Sequence, residues 1–454
     1  MKTALSRRRM LASTGTGLGL LGLAALAEPL VAAESANPLA PKPVHFPARA
    51  KHVIHLFMNG GPSQVDTFDP KPDLAKRHGE KVELNTGRSK GPLMRSPFSF
   101  RKYGQSGIDV SELFPEIGQC IDDICVVRSM HTDIPNHEPG LLLMTCGNTQ
   151  ATRPSMGSWL TYGLGTENQN LPGFVVLCPG KPVVGPALWN SSFLPGVFQG
   201  CHIQNLEPKK AIEHIRSTEV GAATQREQLD LLNGLNGLHK ERRANDDQLD
   251  ARIRSLEIAF RMQTEATDAF DLSREPARLR DRYGKGYFAE ACLTARRLVE
   301  RGVRMVQVFY GGGQPWDDHG EVEKGHRAKA LDSDRAVATL LRDLKDKGLL
   351  DETLVLWGGE FGRTPTSEGQ NGRDHNSKGF SVWLAGGGIK GGMTYGSTDE
   401  FGCAAVENKV HVHDLHATIL HQMGLDHEKL TYRYSGRDFR LTDVSGTVVK
   451  DILA

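Results

Sequence analysis

The sequence predicts a large α/β domain built on a mostly parallel sheet with helices on both faces. Three observations point there. Compact apolar runs recur along the chain, and each stops abruptly in a Gly-rich or polar loop. The runs are apolar nearly throughout, which is the pattern of strands covered on both faces. Helical segments with apolar residues at three- and four-residue spacing separate several of them. A chain of 454 residues is long enough for a sizeable core. With a net charge of +1, no global field draws nucleic acid, so no nucleic-acid partner is expected.

Taken in order, the chain opens with SRRRMLASTGTGLGLLGLAALAEPLVAAES, in which Arg7 and Arg8 form a twin-arginine pair before Met10 and Leu11. The apolar stretch from Leu18 to Ala27 is Gly-rich and shorter than the roughly 20 residues a membrane span needs. Residues Val31 and Ala33, or Ala25 and Ala27, suit a signal peptidase. Residues 1–33 therefore read as a Tat-type export signal, with the Tat translocase a partner during export and the periplasm or exterior the destination. The Pro-rich residues 34–50 read as a linker to one domain over 51–454. No other segment is long and apolar enough to make a stable membrane span.

Val53 to Met58 is the first strand, ended by the turn Asn59-Gly60-Gly61-Pro62. DICVVRSM is the next and runs into HTDIPNHEP. GLLLMTCG reads as a short helix, and GFVVL and PVVG as further strands. From about 208 to 300 the composition shifts to Glu, Arg, Lys, Gln, Leu and Ala, which predicts a helical insertion. The α/β rhythm then returns with a helix from Ala289 to Gly302 and the strand VRMVQVFYGGG. Ser333 to Lys347 is an amphipathic helix with Val337, Leu340, Leu341 and Leu344 on one face and Gly348 at its end. TLVLWGGE and FSVWLAGGGI are strands, and HDLHATILHQMGL is a helix. The seven cysteines form no CxxC pair, which argues against a zinc knuckle.

Ligands in such sheets bind beyond the carboxyl ends of the strands. The first strand supplies Asn59, Ser63, Asp66, Thr67 and Asp69 there, and the second His131, Asp133, Asn136, His137 and Glu138. Trp316, Asp317, Asp318 and His319 follow VQVFY, and Glu360 and Arg363 follow TLVLW. Asp374, His375 and Lys378 come just before FSVWL. Carboxylates and imidazoles that converge without a cation are costly to bury. Mixed nitrogen and oxygen donors suit zinc, manganese or iron, and an oxygen-rich subset suits calcium.

The stretches HVIHLFMNGGPSQVDTFDPKP, IPNHEP, RPSMGSWLTYGLG, WDDHG, GGEFGRTP, GRDHN and DLHATILHQMGLDHEKLTYRYSGRDFRLTD resemble the bacterial family catalogued as domain of unknown function 1501. The likeness runs over roughly residues 40–454. That family is placed in the alkaline phosphatase/sulfatase superfamily, so the resemblance implies an alkaline phosphatase-like three-layer α/β/α sandwich. It also implies roles. Asn59 stands where the superfamily has a metal-binding Asp, and Asp317 and His319 are similar to a later metal-binding pair. Glu360, followed by Phe361, replaces an Asp-His or Asp-Asn pair. Asp374-His375 leads into the next strand as the last metal histidine does. His137 stands at the nucleophile position as ligand, base or nucleophile, and Arg363 and Lys378 are expected to hold an anionic group. The implied cofactor is a divalent metal ion, zinc or calcium, one or two. The implied activity is hydrolysis of a phosphate or sulfate ester on an anionic small molecule or glycan. The rival expectation is an exported, non-catalytic binding protein with a degenerate site.

Overall fold

A computed structural model of the protein describes residues 37–84, 91–208 and 268–454, with scattered positions between 210 and 235. The expected export signal and most of the expected helical insertion lie outside the described residues. The strands that matter are β1 (His52–Phe57), β2 (Ile124–His131), β3 (Phe174–Leu177), β4 (Cys201–Ile203), β5 (Met305–Phe309) and β6 (Thr353–Gly358). They continue with β7 (Gly362–Arg363), β8 (His375–Asn376), β9 (Phe380–Ala385), β10 (Met393–Tyr395) and β11 (Val410–His411). All but β7 and β8 join one nine-stranded sheet in the order β10-β2-β9-β6-β1-β5-β3-β4, with β11 also paired to β2. β7 and β8 form a small antiparallel pair of their own.

Among the described residues, five helices cover the sheet: α1 (His137–Cys146), α2 (Met156–Leu164), α3 (Tyr287–Glu300), α4 (Val322–Asp346) and α5 (Val412–Gln422). The twofold alternation of a strand sorts its side chains between them. Ile54 and Leu56 of β1 enter one core, with Leu298 of α3 and Leu340 and Leu344 of α4. Val53 and Phe57 enter the other, with Leu141 of α1, Trp159 of α2 and Leu420 of α5. This is the expected α/β/α sandwich.

Three elements differ from the sequence expectation. PVVG makes no strand: Pro182 forms one isolated bridge to Gly313 and Gly185–Trp189 is a short 3₁₀ turn. Prolines at 182 and 186 lack the N–H that a ladder needs. α4 starts at Val322 rather than Ser333, and α1 starts at His137 rather than after Pro139. Within the mostly parallel sheet that the sequence predicts, β9 runs antiparallel to both neighbours, β2 and β6. The carboxyl ends of β1, β2, β5 and β6 therefore share an edge with the amino end of β9. Loops that follow four strands and precede a fifth meet there.

Candidate metal centre

Asp317 and His319 arrive on the loop after β5, His137 at the first turn of α1, and His375 on β8 just before β9. One carboxylate oxygen collects them. Asp317 Oδ1 lies 3.2 Å from His137 Nε2, 3.0 Å from His319 Nε2 and 3.2 Å from His375 Nε2. The Nε2 atoms of His319 and His375 are 3.0 Å apart. The opposite nitrogen of each ring is anchored. His137 Nδ1 is 2.6 Å from Glu360 Oε1, His375 Nδ1 is 2.9 Å from the Pro135 carbonyl, and His319 Nδ1 is 2.5 Å from Glu368 Oε2. Carbonyls and carboxylates only accept, so each Nδ1 donates, and a ring that is neutral then offers its Nε2 lone pair inward. Metal-binding histidines are held in this way.

Such an arrangement needs positive charge at its focus. His137 Nε2 is buried and makes no hydrogen bond. Burial alone would raise the Asp317 carboxyl, but His137, His375 and the Arg363 guanidinium outweigh it and hold it well below the usual carboxylate range. Burial would lower His137, yet the carboxylates of Asp317 and Glu360 push it up. His375 moves the other way, lowered by burial, with Arg363 and His137 adding to it against the pull of Asp317. A divalent cation would satisfy the facing nitrogens and the carboxylate together, and the donor set fits one. Two overlapping sets of donor atoms, His137–Asp317–His375 and His319–Asp374–His375, each lie within 4.8 Å of one another.

The other expected site residues lie at different depths. Glu360 is buried one layer behind the donors, accepting from the Gly60 N–H at 3.0 Å while it holds the ring of His137. Asn59 donates its amide to the carbonyls of Gly311 and Gly313 at 2.9 and 2.6 Å, tying β1 to the loop after β5; its buried Oδ1 makes no hydrogen bond. Arg363 is fully buried and does not present itself to an anion. Its guanidinium donates to the carbonyls of Gly60, Gly61, Trp316 and Arg373 and, at 2.7 Å, to Asp317 Oδ1. Lys378 is exposed on the turn between β8 and β9, bonded through its backbone to Asn376 and Ala405 rather than to this cluster.

Other residues support the centre without having been singled out as ligands. Glu368 comes from the Gly-rich turn between β7 and β8. Arg373, next to the donor pair, forms a wholly buried ion pair with Asp66 at 2.6 Å. Asp318 is held by His326 and Lys329, each at 2.7 Å, and His326 Nε2 accepts from the Ser63 N–H. Ser63, Asp66 and Asp318 were marked by their place after strand ends, whereas His326 and Lys329 lie inside α4, where no sequence signal set them apart.

The family model described as "Protein of unknown function (DUF1501)" matches residues 50–453. No curated protein matches the chain. Among solved structures, the PsFucS1 sulfatase from Pseudoalteromonas sp. is similar at 12% identity, over 84% of this chain and 69% of that one, with a TM-score of 0.34. The alkaline phosphatase from the Antarctic bacterium TAB5 is similar at 12% identity, over 82% and 98%, with a TM-score of 0.35. The phosphonate monoester hydrolase SpPMH from Silicibacter pomeroyi is similar at 11% identity, over 83% and 73%, with a TM-score of 0.35.

Proposed function

This chain belongs to the DUF1501 family, and we propose, from the geometry of its own centre, that it is a metal-dependent hydrolase of phosphate or sulfate esters. One observation carries the reading. The Nε2 atoms of His137, His319 and His375 face a single carboxylate oxygen, and each ring is anchored from behind through Nδ1. Asp317 and these histidines would hold the ion. When bound, it would supply Lewis acidity toward an ester oxygen and acidify a water molecule.

The chain's own residues set the stage for that chemistry. Arg363 fixes Asp317, and Glu360 fixes the ring of His137. Because α1 begins at His137, the positive end of its dipole lies beside the centre and favours an anionic group there. Phe361 packs against the rings of His137 and His375 at 4.8 and 4.7 Å and keeps water from that side. The side chain of His319 is 41% exposed and marks the open side. The choice of ester class rests on the motif resemblance.

The test is metal analysis of the purified chain, followed by assays with aryl phosphates and aryl sulfates. The expected result is a bound divalent ion, with turnover that EDTA abolishes, metal restores and His375→Ala lacks. Absence of bound metal, together with no effect of His375→Ala, would sink the reading. A second reading, binding without turnover, draws on the full burial of Arg363, whose guanidinium has no exposed face for an anion. It predicts metal retained and both ester classes untouched. Export through the Tat pathway belongs to the same proposal and rests on Arg7 and Arg8. Changing both to Lys is expected to hold the precursor in the cytoplasm, and unaltered export of that variant would remove this part.

A further inference from the structure

The two overlapping donor sets invite a count of two ions, but three features limit the centre to one. Both sets include His375. Its Nδ1 donates to the Pro135 carbonyl, which leaves Nε2 as the ring's ligating atom, and one lone pair serves one ion. Next, a cation is already built in. The guanidinium of Arg363 sits 2.7 Å from Asp317 Oδ1, wholly buried and fixed by the carbonyls of Gly60, Gly61, Trp316 and Arg373. A second metal ion drawing on Asp317 would be pressed against this permanent charge at short range, where little water screens it, and one in the set without Asp317 would still have to share His375. The third feature is donor type. Around Asp317 the atoms that converge are imidazole nitrogens, whereas calcium and magnesium select oxygen.

We propose that the centre takes a single divalent transition-metal ion of the imidazole-preferring kind, zinc or iron(II), and that Arg363 is its second positive charge, supplied by the fold. The inference rests on the metal-dependent reading above and narrows it. In this arrangement Asp317 joins two cations of different origin, one exchangeable and one covalently part of the chain. Glu368 acts as a positioning residue through His319.

The experiment uses the full, tag-free chain with zinc alone as the probe, by isothermal titration and native mass spectrometry. His375→Ala serves as the blank for zinc held by other histidines. One equivalent is expected to disappear in His375→Ala, and a 100-fold excess of calcium is expected to leave that equivalent in place. Glu368→Gln is expected to weaken it about 10- to 100-fold. Arg363→Gln, which keeps hydrogen-bonding groups but not the charge, is expected to admit a second equivalent. Two equivalents in the native chain, or displacement of zinc by calcium, would overturn the proposal. A folded Arg363→Gln variant that still takes one would remove the role given to Arg363. No zinc in the native chain would remove the metal-dependent reading itself. If Arg363→Gln fails to fold, the native stoichiometry and the calcium competition still decide.

Discussion

Glu360 and Arg363 lie three positions apart in the segment GGEFGR; Glu360 accepts from the Gly60 N–H, and Arg363 donates to Asp317. Their polarity was legible in the sequence. Their tasks were not, because each depends on Gly60, about 300 residues away in the chain. Asp317, His319 and His375 were easier to read, since an imidazole or carboxylate beside a strand end has few structural duties. The same scale holds a prediction about acid stability. His55 on β1 and His416 on α5 are buried, and burial pushes each ring from the ordinary 6.5 down to about 3. The folded value lies below the unfolded one, so the unfolded chain takes up protons first as pH falls. Stability from these rings is whole above pH 6.5 and is lost between 6.5 and about 3, with a slope of up to about 1.4 kcal/mol per pH unit for each. Replacing His416 with Gln should flatten the dependence by one such slope in urea unfolding at pH 7, 5.5 and 4.5. An unchanged slope would count against the assignment. The Asp66–Arg373 pair makes a second prediction. Asp66→Ala leaves a buried guanidinium unpaired and should cost about 3–5 kcal/mol in the same assay, and a loss under about 1 kcal/mol would show that the charge finds another partner.

At the level of elements, the apolar strands and amphipathic helices were predictable because burial on both faces leaves a continuous signature. Strand direction was not, since FSVWLA reads the same whichever way it lies. That ambiguity hid why His375 precedes its strand while the other donors follow theirs. Nor did the helical pattern reveal that His137 opens α1, because HEP looks like loop until the Asn136 carbonyl accepts the Gly140 N–H. The contact between the loops after β1 and β5 is close enough to test. Gly60 has φ of +109°, and a Cβ there would stand 2.6 Å from the Asp317 backbone nitrogen. Gly60→Ala is therefore expected to displace Asp317 and lower metal affinity more than it lowers stability. Zinc titration beside a thermal melt measures both, and wild-type zinc affinity in this variant would refute the coupling.

For the molecule as a whole, the α/β/α plan was open to reading from the chain. The candidate centre was only half open, because its residues come from three segments that the sheet alone brings together. Those segments are also what the ion would hold. Stripping metal present at 100 times its dissociation constant should remove about 2.7 kcal/mol of stability. The loss is expected in unfolding curves with and without chelator, and should vanish in His375→Ala. Equal curves for the native chain would mean that no ion binds the folded state preferentially. The wiring of the sheet carries a further cost in time. β1 is apolar on both faces apart from its histidines, and its two neighbours, β5 and β6, lie roughly 250 and 300 residues downstream. At about 5–20 residues per second, a ribosome needs roughly 10–60 s to deliver them. Throughout that interval HVIHLF stands as an unpaired edge, open to association with other nascent chains. The first strand made is thus among the last to be completed, and safe synthesis of this protein depends on keeping it covered until the final third of the chain arrives.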